Sequence, residues 1–130
     1  MSTRDLHNTI ALQRLLGPAT STGAVAVNSA VIDRARVHAV EVVVAKGANT
    51  ATTGTVKVDL RSGSATTAST HTSATTSETL GTNLKVMAAT TAGIHTVGYI
   101  GANRYVSVQL TQGAATGNYS VVGLKAPAKR

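Results

Sequence analysis

Histidine and serine are the residue types in this chain that could support metal binding or catalysis. The four histidines are His7, His38, His71 and His95. No two of them have the short spacing that places two ligands on one face of a strand or helix, so they match no compact metal motif. The chain contains no cysteine that could add a thiolate ligand. The sequence therefore predicts ordinary surface or turn histidines, without a metal site or a cofactor.

The acidic residues favour catalysis no more than the histidines do. The five acids, which are spread along the whole chain, are Asp5, Asp33, Glu41, Asp59 and Glu78. No G-x-S-x-G sequence surrounds a serine, and no two carboxylates stand at a spacing typical of acid–base catalysis. A Ser-His-Asp triad is defined by geometry in space, so sequence alone leaves that alternative open. We expect a protein that is not an enzyme.

The net charge of +7 favours acidic partners such as nucleic acid, an anionic surface or an acidic protein. The basic residues are scattered, however, and the chain has no Phe or Trp and only three tyrosines for base stacking. No segment is apolar enough to span a bilayer. Gln13 and Arg14 interrupt the first apolar stretch, which is therefore not expected to be a signal peptide. An acidic protein partner is favoured over specific nucleic acid or a membrane.

Three segments show the strict period of two that a half-buried strand produces. They are TVKVDLR (55–61), RYVSVQLT (104–111) and VHAVEVVVAK (37–46). In the second of these, Tyr105, Ser107 and Gln109 point away from the apolar face. The side chains assigned to the core are Val56, Val58, Leu60, Val106, Val108 and Leu110. In the third segment Val40, Val42 and Val44 share one face, with Glu41 opposite.

Weaker strands are predicted at 24–32, 84–88, 94–100 and 119–126, with turn signals rich in glycine and asparagine between them. Many short strands with frequent turns predict an all-β fold, a β-sandwich or jelly roll. The chain length favours one domain covering residues 1–130.

Two segments are predicted to lie outside the strands. Residues 62–79, SGSATTASTHTSATTSET, form a long Thr/Ser-rich loop that we expect to be mobile or ordered by a partner. Residues 1–18 are predicted as an extended arm, with a short helix ended by Gly17-Pro18 as the alternative. This arm is too apolar for a free tail, so it should bury on its own sandwich or on a neighbour. Its predicted anchors are Leu6, Ile10 and Leu12.

Several basic residues are candidate partner contacts. Arg34 and Arg36 flank a strand start, and Arg104 lies at a turn beside Tyr105, where a bidentate contact with a partner carboxylate is feasible. Arg and Tyr are enriched at interface hot spots. The alternative for these arginines is a solvated outer sheet face, which is the commoner case.

Two stretches, STRDLHNTI (2–10) and VGYIGANRYVSVQLT (97–111), resemble a group of small proteins encoded by tailed bacteriophages and prophages. That group has a start like "DLHNNI", a hydrophobic segment ending near a proline, and "IGYxGxxRYVRL" late in the chain. A shared "LLGT" piece corresponds to Leu80-Gly81-Thr82. The other matching residues are Asp5, Leu6, His7, Asn8, Ile10, Pro18, Ile32, Asp33, Gly98, Tyr99, Gly101, Arg104, Tyr105 and Val106. The present chain departs from the group at 62–79, where the relatives tend to be acidic.

The resemblance implies a structural role in the virion. Comparable small β-sandwich proteins decorate or cement capsids, so the expected partner is the major capsid protein, bound by many copies of a homo-oligomer. The expected location is the capsid surface, after assembly in the bacterial cytoplasm. A head–tail connector or tail component, and a carbohydrate-binding module, stay open as alternatives.

Overall fold

Eleven strands and two short 3-10 turns occupy the part of the chain that the computed structural model describes, residues 9–21, 25–47, 55–88, 92–112 and 117–127. The strands are β1 (Ala11–Ser21), β2 (Val25–Asn28), β3 (Ile32–Asp33), β4 (Val37–Lys46), β5 (Thr55–Gly63), β6 (Thr72–Ser73), β7 (Thr79–Leu80), β8 (Lys85–Ala88), β9 (Gly93–Tyr99), β10 (Tyr105–Gln112) and β11 (Gly117–Pro127). The 3-10 turns span Ala68–Thr70 and Thr76–Glu78.

The strands form two antiparallel sheets. Sheet A has the order β1-β11-β4-β9-β7. Sheet B is centred on the β10–β5 pair, with β2 and β3 along the free edge of β10 and with β6 and β8 along the free edge of β5. The long strands alternate between the sheets along the chain, which is the connectivity of a jelly roll. This arrangement confirms the predicted all-β sandwich.

The core lies between the sheets and is built from the alternating residues identified in the sequence. All six predicted core side chains are at most 1% exposed, and Val40, Val42 and Val44, which are predicted to share one face, are at most 4% exposed. Others in the same cluster are Leu15, Ile32, Val97, Tyr99, Tyr119 and Val121. Gly123 allows a close approach of the sheets, because a Cβ atom there would lie 2.8 Å from Ile32 Cδ1.

The predicted strand at 24–32 is instead two short strands, β2 and β3, separated by a break at Ser29. The Ser29 side chain is buried, accepts the Val108 N–H and donates to Ala30 O. The Ala30 N–H then donates to Leu15 O on β1. The chain thus leaves the β10 edge at this point and bonds to the opposite sheet.

The N-terminal segment is extended as predicted, but its described part is an edge strand of the protein's own sandwich. β1 pairs with β11 from Ala11 opposite Lys125 to Ser21 opposite Gly117, and Leu15 enters the core. Register shifts on both sides of Leu16 accommodate the Gly17-Pro18 pair, since proline is tolerated at edges and bulges. Leu6 lies outside the described residues.

Residues 62–79 contain short strands and turns where the sequence predicts a single long loop. β5 continues to Gly63, β6 pairs with β5 in sheet B, and β7 pairs with β9 in sheet A. Thr75 and Glu78 form a reciprocal capping box between them. The polar side chains that suggested a loop close its turns. Four buried residues anchor the segment: Ser62, His71, Ala74 and Thr79.

Candidate interaction surface

The outer face of sheet A is apolar. The strand register places five residues in one row across all five strands: Leu12, Leu124, Glu41, Gly98 and Leu80. The next row contains Arg14, Val122, Val43 and Thr96, and a third contains Ser120, Ala45 and Ile94. Side chains directly opposite each other in a sheet share a face, so these residues form one surface.

Several large apolar side chains on this face are open to solvent. Leu12 is 69% exposed, Leu80 is 58% exposed and Ile94 is 73% exposed. Five strands at ordinary spacing and three such rows cover on the order of 400 Å². This area is that of the whole face, which includes the polar residues Arg14, Glu41, Thr96 and Ser120. Exposed apolar surface of a few hundred Å² is often functional in soluble proteins.

A cleft of about 340 Å³ lies at one end of this face. Its lining is mainly apolar and includes one acid and two bases. The lining residues are Ile10, Arg34, Ala39, Val40, Glu41, Leu80, Tyr99, Ile100, Leu124, Lys125 and Ala126. The predicted anchor Ile10 is thus a wall of the cleft, and Leu12 belongs to the apolar row.

Glu41 occupies the centre of the first row, beside Gly98. A Cβ atom at position 98 would lie 2.6 Å from Glu41 Oε2, so the glycine leaves the space that the carboxylate uses. Partial burial raises the pKa of Glu41, while the charge of His95 and a hydrogen bond from Thr96 act in the opposite direction. The carboxylate therefore lies in a partly desolvated position, in a row whose other members are all apolar.

The outer face of sheet B is polar, and its side chains bind one another. The Asp59 carboxylate accepts a hydrogen bond from Ser73 Oγ at 2.6 Å and lies 3.7 Å from Arg61 Nε. Gln109 Nε2 donates to Asn28 Oδ1 at 3.1 Å. Asp59, Ser73, Gln109 and Asn28 therefore have hydrogen-bond partners within this face, whereas the buried Arg61 Nε has an ion-pair contact with Asp59 but no hydrogen bond.

Residues 64–73 cover one end of sheet B and bury a Ser–His pair. His71 Nδ1 lies 2.8 Å from Ser107 Oγ, and His71 Nε2 lies 2.8 Å from Ala65 O. Since a carbonyl can only accept, Nε2 carries the proton and Nδ1 accepts from the serine. Both side chains are at most 2% exposed, so no substrate reaches them. The pair is structural. His71 follows the 3-10 turn Ala68–Thr70, as the turn alternative of the prediction allows, but it is buried and does not lie on the surface.

The other histidines provide no ligand cluster in the described part of the chain. His95 Nε2 lies 2.8 Å from Thr82 O. His7 and the His38 side chain lie outside what the structure describes. Within the described ranges, no three His, Cys, Asp or Glu residues are placed to hold a metal ion.

The predicted partner contacts Arg34, Arg36, Arg104 and Tyr105 lie near one another at one end of the sandwich, where the β3–β4 turn meets the β9–β10 turn. Arg104 donates from Nε and Nη2 to the Asp33 carboxylate, both at 2.9 Å, and its guanidinium lies 5.2 Å from the Tyr105 ring centre. The hydrogen bond from Arg104 is the main reason that the pKa of Asp33 falls to about 2. Arg104 thus has a strong internal partner.

Arg34 also has an internal role. Its Nη1 donates to Gly101 O at 2.7 Å and Asn103 O at 2.6 Å, and its guanidinium lies 4.7 Å from the Tyr99 ring centre. Arg36 is exposed and has a positive φ of 61°. Of these three arginines, Arg36 alone has no side-chain partner among the described residues. A role in partner binding stays a prediction for all of them.

The resemblance to phage proteins rested partly on Gly98, Tyr99, Gly101, Arg104 and Tyr105, and each has a structural role here. The Tyr99 hydroxyl accepts the Asn103 N–H at 3.3 Å, and any side chain at Gly101 would overlap that hydroxyl. These residues build the β9–β10 turn and hold it against Asp33 and Arg34. Gly98 differs, because it makes room for Glu41 on the open face.

Comparison with known proteins gives little more. No protein-family model matches the chain, and no curated protein sequence matches it. A chain of the disulfide-linked pili of Bacillus endospore appendages is similar, with 16% identity, coverage of 93% of this chain and 90% of that chain, and a TM-score of 0.47. No helix in the described ranges has the length and hydrophobicity needed to cross a membrane.

Proposed function

We propose that this protein is a non-enzymatic structural protein of a bacteriophage particle, a decoration or cement protein that binds the major capsid protein lattice through the outer face of sheet A. The observation that carries the proposal is that Leu12, Leu80 and Ile94, at the margins of the outer face of sheet A, are all more than half exposed. The resemblance to tailed-phage proteins suggests which partner covers it.

The size of the surface favours a repetitive partner. A patch on the order of 400 Å² is smaller than the roughly 800 Å² per partner of a standard stable interface. A single contact of this size would be weak. Many copies on a lattice, or a homo-oligomer that presents several such faces, add their contacts through multivalency.

The charge of the molecule supports the same partner. The net charge of +7 steers a protein towards an acidic surface and raises its association rate. Arg36 and Lys57 are exposed and contribute to this attraction. The apolar face then supplies the contacts that hold the complex after encounter.

The tyrosines argue against the carbohydrate-binding alternative. Sugar-binding surfaces depend on exposed aromatic rings, and this chain has only three tyrosines besides its histidines. Tyr99 is 2% exposed and Tyr119 is 5% exposed, while Tyr105 lies beneath Arg104. No open aromatic platform is left.

The proposal is tested by binding the purified protein to expanded, emptied capsids that lack it and counting the bound copies per particle. We expect saturation at a copy number comparable to the number of capsid subunits, and greater resistance of the capsids to heat. Saturation at a few copies per particle would favour the connector or tail alternative. Absence of binding at low and high salt would overturn the capsid role.

Two variants link the binding to the proposed face. Ile94→Ser removes an exposed side chain from sheet A, and Val86→Ser removes one from β8 in sheet B, where Val86 is 54% exposed. Ile94→Ser should weaken capsid binding on the order of tenfold, as expected for an interface anchor. Val86→Ser should bind like the unmodified protein; equal loss in both would contradict docking through sheet A.

A further inference from the structure

The carboxylate of Glu41 differs from Asp33 and Asp59 because no arginine or lysine of the described chain forms an ion pair with it; the only cationic influence on it within those residues is that of His95 on the adjacent strand β9. Asp33 pairs with Arg104, and Asp59 lies beside Arg61 and Ser73. Glu78 caps a 3-10 turn by accepting from Thr75. Each of these three acids therefore stabilises the fold in a way that its contacts explain.

Glu41 has no comparable structural task. Its described neighbours are the Thr96 hydroxyl, which donates a hydrogen bond, and His95, whose charge acts on it. The two bases that line the same cleft are directed elsewhere: Arg34 to the carbonyls of the 100–104 turn, and Lys125 to Gln13 Oε1 at 3.0 Å. A carboxylate in an apolar row is unfavourable for folding when its charge has no partner.

The surroundings of Glu41 keep this carboxylate accessible to another molecule. The side chain lines the cleft, and Gly98 leaves the space that its Oε2 atom occupies. Leu124 and Leu80 stand on either side of it in the row. A long side chain entering the cleft would contact apolar walls along its stem and meet the carboxylate with its end.

We propose that the partner of sheet A inserts a lysine or arginine side chain into this cleft, where its cation pairs with Glu41. The inference rests on the proposed docking role and specifies one side chain of the partner, the cation that meets Glu41. Lys and Arg have the required shape, an apolar stem with a charged head. Apolar contacts alone would let the partner bind at several positions on this face. One charge pair within an apolar interface selects a single position.

The chemistry is tested without a partner by titrating the protein with butylguanidinium and following its amide signals by NMR. Butyrate and butanol are the matched probes, since they keep the apolar chain and change the head group. We expect butylguanidinium to shift the signals of Glu41, Thr96 and Gly98, with little response to butanol or butyrate. A response to butyrate in place of the cation would overturn the inference.

The same pairing is tested on the capsid with three variants. Glu41→Gln removes the charge, and Gly98→Ala keeps the charge but displaces the carboxylate. Thr55→Lys matches the change in net charge of Glu41→Gln at an exposed position of sheet B. Both Glu41→Gln and Gly98→Ala should weaken binding on the order of tenfold, and Thr55→Lys should not.

The outcomes separate the two proposals. If the protein binds capsids and Glu41→Gln binds as well as Thr55→Lys, the cation site is overturned and the docking role stands. If no capsid binding occurs but butylguanidinium shifts the cleft signals in the unmodified protein and not in Glu41→Gln, the cation site stands and the capsid role is overturned.

Discussion

The two outer faces of the sandwich differ in how their side chains are satisfied. On sheet B, polar side chains such as Asp59 and Gln109 bind their neighbours, and the chain folds back over one end to bury His71. On sheet A, Leu12 and Ile94 remain mostly exposed, and Glu41 has no ion-pair partner within the described chain. The face that lacks internal partners is the one suited to bind another protein.

Glycines on the two outer faces show what is needed for a chain segment to pack over a sheet. The segment at 64–73 can close over sheet B because Gly63 has no side chain, and a Cβ atom there would lie 2.6 Å from His71 Cδ2. Sheet A has a comparable gap at Gly98, but the described chain places only the Glu41 carboxylate in it. Gly63 makes space for residues 64–73 of the same chain, whereas Gly98 makes space for the Glu41 carboxylate beside the cleft.

The largest effect is expected for His71→Ala on the covered face. The substitution leaves a cavity and removes the partner of Ser107 and Ala65 O, so the free energy of unfolding should fall by about 2–4 kcal/mol. Urea denaturation measures this loss. Thr72→Ala, at an exposed position of β6, is the control and should change stability by about 0.5 kcal/mol or less. A similar small change in His71→Ala would show that the covering segment contributes little.

Substitutions on the outer face of sheet A should change binding to an apolar probe and leave stability nearly unchanged. Leu80→Ser combined with Ile94→Ser should change the free energy of unfolding by less than about 1 kcal/mol, because both side chains are exposed. The same double variant should reduce the fluorescence of an apolar dye bound to the folded protein. Val86→Ser should leave dye binding nearly unchanged; an equal reduction would erase the difference between the two faces.

A smaller effect is expected for Glu41→Gln. Burial raises the pKa of Glu41 above 4.5, so the folded state binds a proton more readily than the unfolded state. The unmodified protein therefore loses stability as pH rises from 4.5 through the folded pKa. Urea unfolding should show Glu41→Gln to be the more stable protein at neutral pH, with the gap closing below 4.5. A less stable variant at neutral pH would assign Glu41 a structural role.

The smallest effect is expected at the exposed Asp33–Arg104 pair, where solvent and salt screen the charges. The pKa of Asp33 is lowered from 3.8 to about 2, so the pair stabilises the fold above pH 3.8 and this contribution disappears as pH falls to about 2. In Arg104→Gln, NMR titration should place the Asp33 pKa closer to 3.8. An unchanged pKa would show that the Ala35 N–H, which also donates to Asp33, is sufficient by itself.

The alternation of apolar residues was enough to predict the core. Val56, Val58 and Leu60 are buried as expected because a strand turns every second side chain to the same face. The outer face of sheet A also has a signal in the sequence. Val42, Val43 and Val44 are consecutive, as are Val121 and Val122, and uninterrupted apolar runs are typical of strands contacted on both faces.

The covered end of sheet B could not be predicted in the same way. His71 is buried because Ser107 and Gly63, which are distant in sequence, lie beneath it in the folded sheet. The position of Glu41 beside Gly98 likewise depends on the register between β4 and β9. Composition indicated a loop at 62–79, but it contained no information about which strands that segment would meet.

The pairing of β1 with β11 has a practical consequence for protein engineering. Ala11 lies opposite Lys125, and Ile10 and Ala126 both line the cleft, so the described chain starts and stops at the same end of the sandwich. Neighbouring ends make a protein a candidate for circular permutation. A permuted variant, with a short linker joining residue 127 to residue 9 and new ends opened at an exposed turn outside the cleft, would carry a fluorescent label or display tag away from it.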